Sequence, residues 1–144
     1  NISLTDFKEN FIHIRKKSDD AFKLIRKMNI KIDFCYIDGC HYYDYFKNDY
    51  ENCKSLIKKN EHYCGQMTGD DYEISFTNLL HETGYTKEKL EKIVNQHKNI
   101  TDYLYLESKS GDKIGFHPGI IYYFKDFTNI NITDGGIWFQ DNLN

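Results

Sequence analysis

Apolar and polar positions along the chain change period several times, and each change marks an element. Phe11-Ile-His-Ile14 alternates as a short strand. Ser18 then offers a helix-start side chain, with Asp19 and Asp20 in the favourable first turn. Ala21, Phe22, Leu24, Ile25 and Met28 recur at helical spacing behind it. Ile32-Asp-Phe-Cys-Tyr-Ile37 is mostly apolar and stops at Asp38-Gly39, as a buried parallel strand would. Tyr43, Phe46, Tyr50, Cys53 and Ile57 place a second helix over Tyr43–Lys58. A third strand follows at Tyr63–Thr68, closed by Gly69-Asp70-Asp71. The first half therefore reads β-α-β-α-β, which predicts a parallel sheet with right-handed crossovers.

The second half is less regular. Thr86 opens a helix whose Lys87, Glu88, Lys89, Glu91 and Lys92 form a solvated face. Tyr103–Leu106 and Lys113–Phe116 flank Ser108–Asp112 as a hairpin. Pro118, the single proline, suits the first position of a helix running to about Phe127. Gly135-Gly136 precedes a last strand, Ile137–Gln140. No repeat or linker divides residues 1–144, which read as one domain.

Composition narrows the class. With 144 residues, 40% hydrophobic and 16% aromatic, the chain can bury a real core. A net charge of −3 leaves no electrostatic footprint for nucleic acid or an anionic membrane. No run approaches the roughly 18 apolar residues of a membrane span. No charged-then-apolar leader opens the chain, so a cytoplasmic location is expected. The start on Asn1 rather than Met suits an excised piece. Cys35, Cys40, Cys53 and Cys64 form no CxxC or zinc-knuckle spacing and are expected to be reduced. The sequons at Asn1, Asn99 and Asn131 are expected by chance in so Asn-rich a chain.

In an open parallel sheet, ligands sit beyond the carboxyl ends of the strands. Ser18-Asp19, Asp38-Gly-Cys-His41 and Asp70-Asp71 would converge there. Asp38 reads either as the turn residue before Gly39 or as an acid facing the site. Asp70 and Asp71 read as a solvated turn or as hard oxygen ligands for magnesium. His41 is a general base or a structural histidine bonding a loop carbonyl. Ser18 is a helix cap or an adenine-edge contact. His117 reads as structural, and Tyr43 and Tyr50 as core.

Ile37-Asp-Gly-Cys-His-Tyr42, a helix bearing Asp49, and Cys64-Gly-Gln-Met-Thr-Gly-Asp-Asp-Tyr72 together resemble a known pattern. It is similar to the IDGxHxY … GGxxxGxDY run of class I S-adenosylmethionine-dependent methyltransferases. The closest branch is the metal-dependent sugar O-methyltransferases of the macrocin O-methyltransferase type. Phe116-His-Pro-Gly-Ile120 and Gly136–Phe139 resemble that family's HPGV helix and its last, antiparallel strand. The resemblance covers about Phe7 to Phe139.

It implies a partial Rossmann-like α/β fold, the C-terminal half, with a mostly parallel sheet and an antiparallel last strand. It implies methyl transfer from S-adenosylmethionine to a small-molecule or sugar hydroxyl. Catalysis would fall to Asp38 and His41, cofactor contact to Ser18 and Asp38, and magnesium to Asp38, Asp70 and Asp71. Residues 73–115 exceed a minimal version of the fold and are expected to be an insertion or lid.

The family's cofactor half carries a GxGxxG turn after the first strand and a ribose-holding acid after the second. Here the first glycine is Gly39. The chain is therefore expected to lack that half, and to bind the cofactor weakly alone. Its open sheet edge would want cover from a second copy or a partner. Two rival readings remain. One is a metal-dependent glycosyltransferase, with Lys58 and Lys59 as phosphate contacts. The other is a non-catalytic methyltransferase-like module that binds a protein through that edge.

Overall fold

The computed structural model describes residues 10–66, 75–128, 130–132 and 137–141. The chain divides into two compact units, Asn1–Ile30 and Lys31–Asn144.

The first unit contains α1 (Ser18–Lys27). Its charges match the helix dipole, with Asp19 and Asp20 in the first turn and Arg26 and Lys27 in the last. Ser18 does not cap it. The N-cap is Lys17, extended and without a side-chain bond, which puts Ser18 one position inside the helix. Asn29, at φ 56°, ends the helix in the left-handed conformation. The strand expected at Phe11–Ile14 does not form. Among the described residues of this unit there is no neighbouring strand to complete a hydrogen-bond ladder, and Phe11 and Ile12 are exposed.

The second unit is mixed α/β. It runs β1 (Ile32–Ile37), α2 (Tyr43–Leu56), β2 (Ile57–Gln66), α3 (Phe76–Thr83) and α4 (Lys87–His97). Then come β3 (Leu104–Glu107), β4 (Lys113–Phe116), α5 (Pro118–Phe124), β5 (Asn131–Ile132) and β6 (Ile137–Asp141). Four strands form one sheet in the order β1-β2-β6-β5, and β3-β4 form a separate antiparallel ribbon. β1 and β2 pair in parallel, with Tyr36 opposite Cys64 and Ile37 opposite Gly65. β6 is antiparallel to both β2 and β5.

By its pairings the sheet is not the mostly parallel one expected, because β6 enters the interior of the sheet reversed. One reversed strand there makes both its pairings antiparallel, although β1, β2 and β5 all point the same way. The second helix ends at Leu56, two residues earlier than its spacing suggests, and β2 starts at once. Met67 and Thr68, expected to end that strand, lie outside the described residues.

α2 and α5 enclose an aromatic core on β6. Trp138 is fully buried, with the rings of Phe46, Tyr50 and Phe124 centred 5.9, 5.9 and 4.9 Å from it. The Phe46 ring meets Trp138 edge-on and the other two are tilted against it, and an edge-to-face pair adds about 0.5–1.5 kcal/mol beyond area burial. The Tyr50 hydroxyl donates to Gln140 Oε1 across the same layer. Leu79 of α3 and Leu90 and Val94 of α4 are fully buried. α3 is capped by Ser75, whose hydroxyl accepts from Asn78 N–H, and stops at Gly84 in the left-handed conformation.

Cys35 of β1 and Cys53 of α2 form a disulfide, contrary to the expectation of four reduced thiols. The crossover lays α2 on β1 and brings their Cα atoms to 6.8 Å, a proximity that no cysteine spacing announces. Cys40 is free and exposed. Among the described residues no helix is long and apolar enough to cross a membrane.

Candidate functional site

β1 ends at Ile37, so Asp38 emerges at its carboxyl end and the following turn carries His41 to the start of α2. Gly39 brings that turn close to α2. A Cβ there would stand 2.9 Å from Oδ2 of Asp49, whose side chain is buried on α2. His41 Nε2 lies 3.2 Å from Asp38 Oδ1, joining the two residues nominated from sequence.

The other face of His41 meets a residue the sequence did not nominate. Its Nδ1 lies 3.0 Å from Oδ1 of Asp102, in the loop between α4 and β3. Which of the two nitrogens donates depends on the tautomer of the ring. Asp102 also holds His117, whose Nδ1 donates to the Asp102 main-chain carbonyl at 2.7 Å. The rings of His41 and His117 lie 3.9 Å apart, centroid to centroid, and Tyr103 meets His117 edge-on at 5.1 Å.

Burial separates the two histidines. The His117 side chain is 6% exposed, against 16% for His41 and 59% for Asp102. Burial pushes the His117 imidazole below its ordinary value, with the Asp102 carbonyl acting against that shift. A neutral ring donating from Nδ1 keeps its free electron pair on Nε2. His41, Asp102 and His117 each offer one ligand atom such that all three lie within 4.8 Å of one another.

Local chemistry explains the convergence. His117 precedes α5, with Pro118 at the first helical position. Gly119 lets that helix reach the His41 loop, since a Cβ on it would strike the His41 carbonyl, Tyr43 N and the Lys98 carbonyl. The N-cap of α2, Tyr42, makes no side-chain bond, so residues after α4 satisfy the helix start. Tyr43 N–H donates to the Lys98 carbonyl at 2.8 Å, and Asp44 N–H to Asn99 Oδ1 at 3.0 Å. Asn99 returns a bond to the Asp44 carboxylate at 3.2 Å. The Lys98 ammonium lies over the rings of Tyr43 and Tyr122, at 4.6 and 4.3 Å.

Ser18 is exposed on α1, in the first unit. Asp70 and Asp71 lie outside the described residues. Lys58, considered for phosphate contact, pairs with Asp33 at 2.6 Å, and that hydrogen bond raises its pKa. This pair sits at the amino end of β1, away from Asp38.

Neither family models, curated proteins nor solved structures give a match to the chain.

Proposed function

We propose that the chain is the C-terminal part of a class I methyltransferase-like domain, acting in metal-assisted O-methyl transfer from S-adenosylmethionine to a small-molecule or sugar hydroxyl. The observation that carries this reading is the meeting of Asp38 and His41 at the carboxyl end of β1, a strand paired in parallel with the next across a helical crossover. That is where an open α/β sheet takes its ligand. The reversed β6 beside β2 agrees with the antiparallel last strand of the resembling fold. Among the described strands β1 is outermost, at the edge where a cofactor half would extend the sheet.

In this reading Asp102 orients His41 through Nδ1 and stabilises the charge the ring gains. Nε2, on the Asp38 side, takes the proton of the acceptor hydroxyl. Magnesium held by Asp38, Asp70 and Asp71 would supply the lowering of that hydroxyl's pKa. Of these three, only Asp38 is among the described residues, and a carboxylate at a strand end suits an oxygen-seeking ion. The glycosyltransferase alternative is less favoured, because Lys58 is engaged with Asp33 at the opposite strand end.

The test is a titration of labelled chain with S-adenosylmethionine at millimolar concentration, read by amide chemical shifts, with and without magnesium. Weak, saturable shifts centred on Asp38–His41, altered by Asp71→Asn only when magnesium is present, are expected. Shifts absent there, or unaffected by S-adenosylhomocysteine competition, would overturn the reading.

A further inference from the structure

We propose that His41, Asp102 and His117 form a binding site for a zinc-like divalent cation, separate from the carboxylate set assigned to magnesium. The three side chains come from the β1–α2 turn, the α4–β3 loop and the β4–α5 junction, and each offers a ligand atom within 4.8 Å of the others. Two imidazoles and one carboxylate select zinc and its borderline neighbours, whereas magnesium prefers all-oxygen surroundings.

Hydrogen bonding around the cluster is that of supported ligands. Asp38 faces Nε2 of His41 at 3.2 Å, and the Asp102 carbonyl accepts from Nδ1 of His117 at 2.7 Å. An oxygen bonded to one nitrogen of each ring fixes its orientation, and the other nitrogen, Nδ1 of His41 in its Nε2–H tautomer and Nε2 of His117, is the one left for metal. With Nε2 of His41 donating to Asp38, Nδ1 and Asp102 Oδ1 are two acceptors 3.0 Å apart. In the tautomer with its proton on Nε2, His41 presents the Nδ1 electron pair toward Asp102 Oδ1, and a metal ion there replaces the proton that otherwise joins the two. Tetrahedral zinc with bonds of about 2.0–2.1 Å separates its ligand atoms by roughly 3.3 Å, so small side-chain movements close the site.

Solvent reaches the cluster through Asp102, leaving the fourth position to water. Zinc on Nδ1 removes His41 as a base, so zinc occupancy and the proposed proton transfer exclude each other. Metal binding is measured without cofactor, so its outcome is independent of the methyltransferase reading.

The experiment uses tag-free chain stripped of metal, titrated with zinc against a chromophoric chelator, with cobalt(II) as a spectroscopic probe. One zinc per chain is expected, with magnesium far weaker, and cobalt should give intense tetrahedral ligand-field bands. Asp102→Asn and His41→Gln should each weaken zinc binding at least about tenfold. Exposed His81→Gln and Cys40→Ser should not. His117→Gln should do the same where circular dichroism shows it folded; Asp102, being exposed, keeps the test independent of folding. Zinc binding equal in all variants, lost in Cys40→Ser, or no tighter than magnesium would overturn the proposal.

Discussion

His117 donates from Nδ1 to the main-chain carbonyl of Asp102 at 2.7 Å, so the buried ring at the start of α5 holds the loop that carries the exposed carboxylate. The main chain of Asp102 is thus fixed from beneath while its side chain reaches His41. The loop is itself tied to α2 through Lys98 and Asn99.

Asn99 serves α2 as a cap borrowed from another element. Asn99→Ala removes the acceptor of Asp44 N–H and should cost about 1 kcal/mol, as loss of an N-cap does. Asn99→Asp keeps an acceptor but sets two carboxylates together at Asp44, so it should recover only part of that loss. Urea melts of the three proteins check the order. Equal stability in all three would mean that solvent caps α2 equally well.

Gly119 is a contact point between backbones. Gly119→Ala drives a methyl group into the His41 carbonyl and Tyr43 N, which are main-chain atoms unable to rotate away. A loss of about 1–3 kcal/mol is expected, the usual cost of overpacking. The substitution should also separate His117 from His41, visible as changed imidazole shifts in NMR spectra. Lys113→Ala, at the exposed start of β4, should stay within about 0.5 kcal/mol.

An apolar run stopped by Asp38-Gly39 made β1 legible, Thr86 and the charged face behind it made α4 legible, and turn residues placed the β3–β4 ribbon and the last strand. Periodicity did not reveal α3, although Ser75, the Phe76, Leu79 and Thr83 spacing, and Gly84 are a complete start, stripe and stop. The beginning of β2 was hidden for a physical reason. Lys58-Lys59-Asn60-Glu61 has no apolar alternation, and it falls where the register with β1 breaks, between the Ile32–Ile57 and Phe34–His62 pairs. Phe11–Ile14 is the converse, an alternation that forms no strand.

The site was half legible. Asp38 and His41 follow from where a parallel strand ends. His117 had a signal in His-Pro-Gly but reads as structural, because nothing in sequence shows what its ring faces. Asp102 carries no signal at all. It lies 61 residues from His41, between Thr101 and Tyr103, in a loop whose course is set by Asn99 and His117.

The Cys35–Cys53 disulfide gives a prediction that separates fold from chemistry. The two cysteines are 18 residues apart, spanning the Asp38–His41 turn and most of α2. Closing a loop of that size in the unfolded chain stabilises by about 3 kcal/mol on the chain-entropy account. Reduction should therefore lower Tm by roughly 6–12 °C in a chain of this length. Cys53 is fully buried, so a thiol reagent applied without reductant should label Cys40 and leave Cys35 and Cys53 untouched. A tryptic digest should yield their linked peptides. The double variant Cys35→Ser, Cys53→Ser should melt with the reduced chain and be insensitive to reductant. Labelling of Cys35 without reductant, together with a Tm indifferent to reduction, would show that the four-thiol expectation was right and that packing of α2 on β1 needs no covalent link.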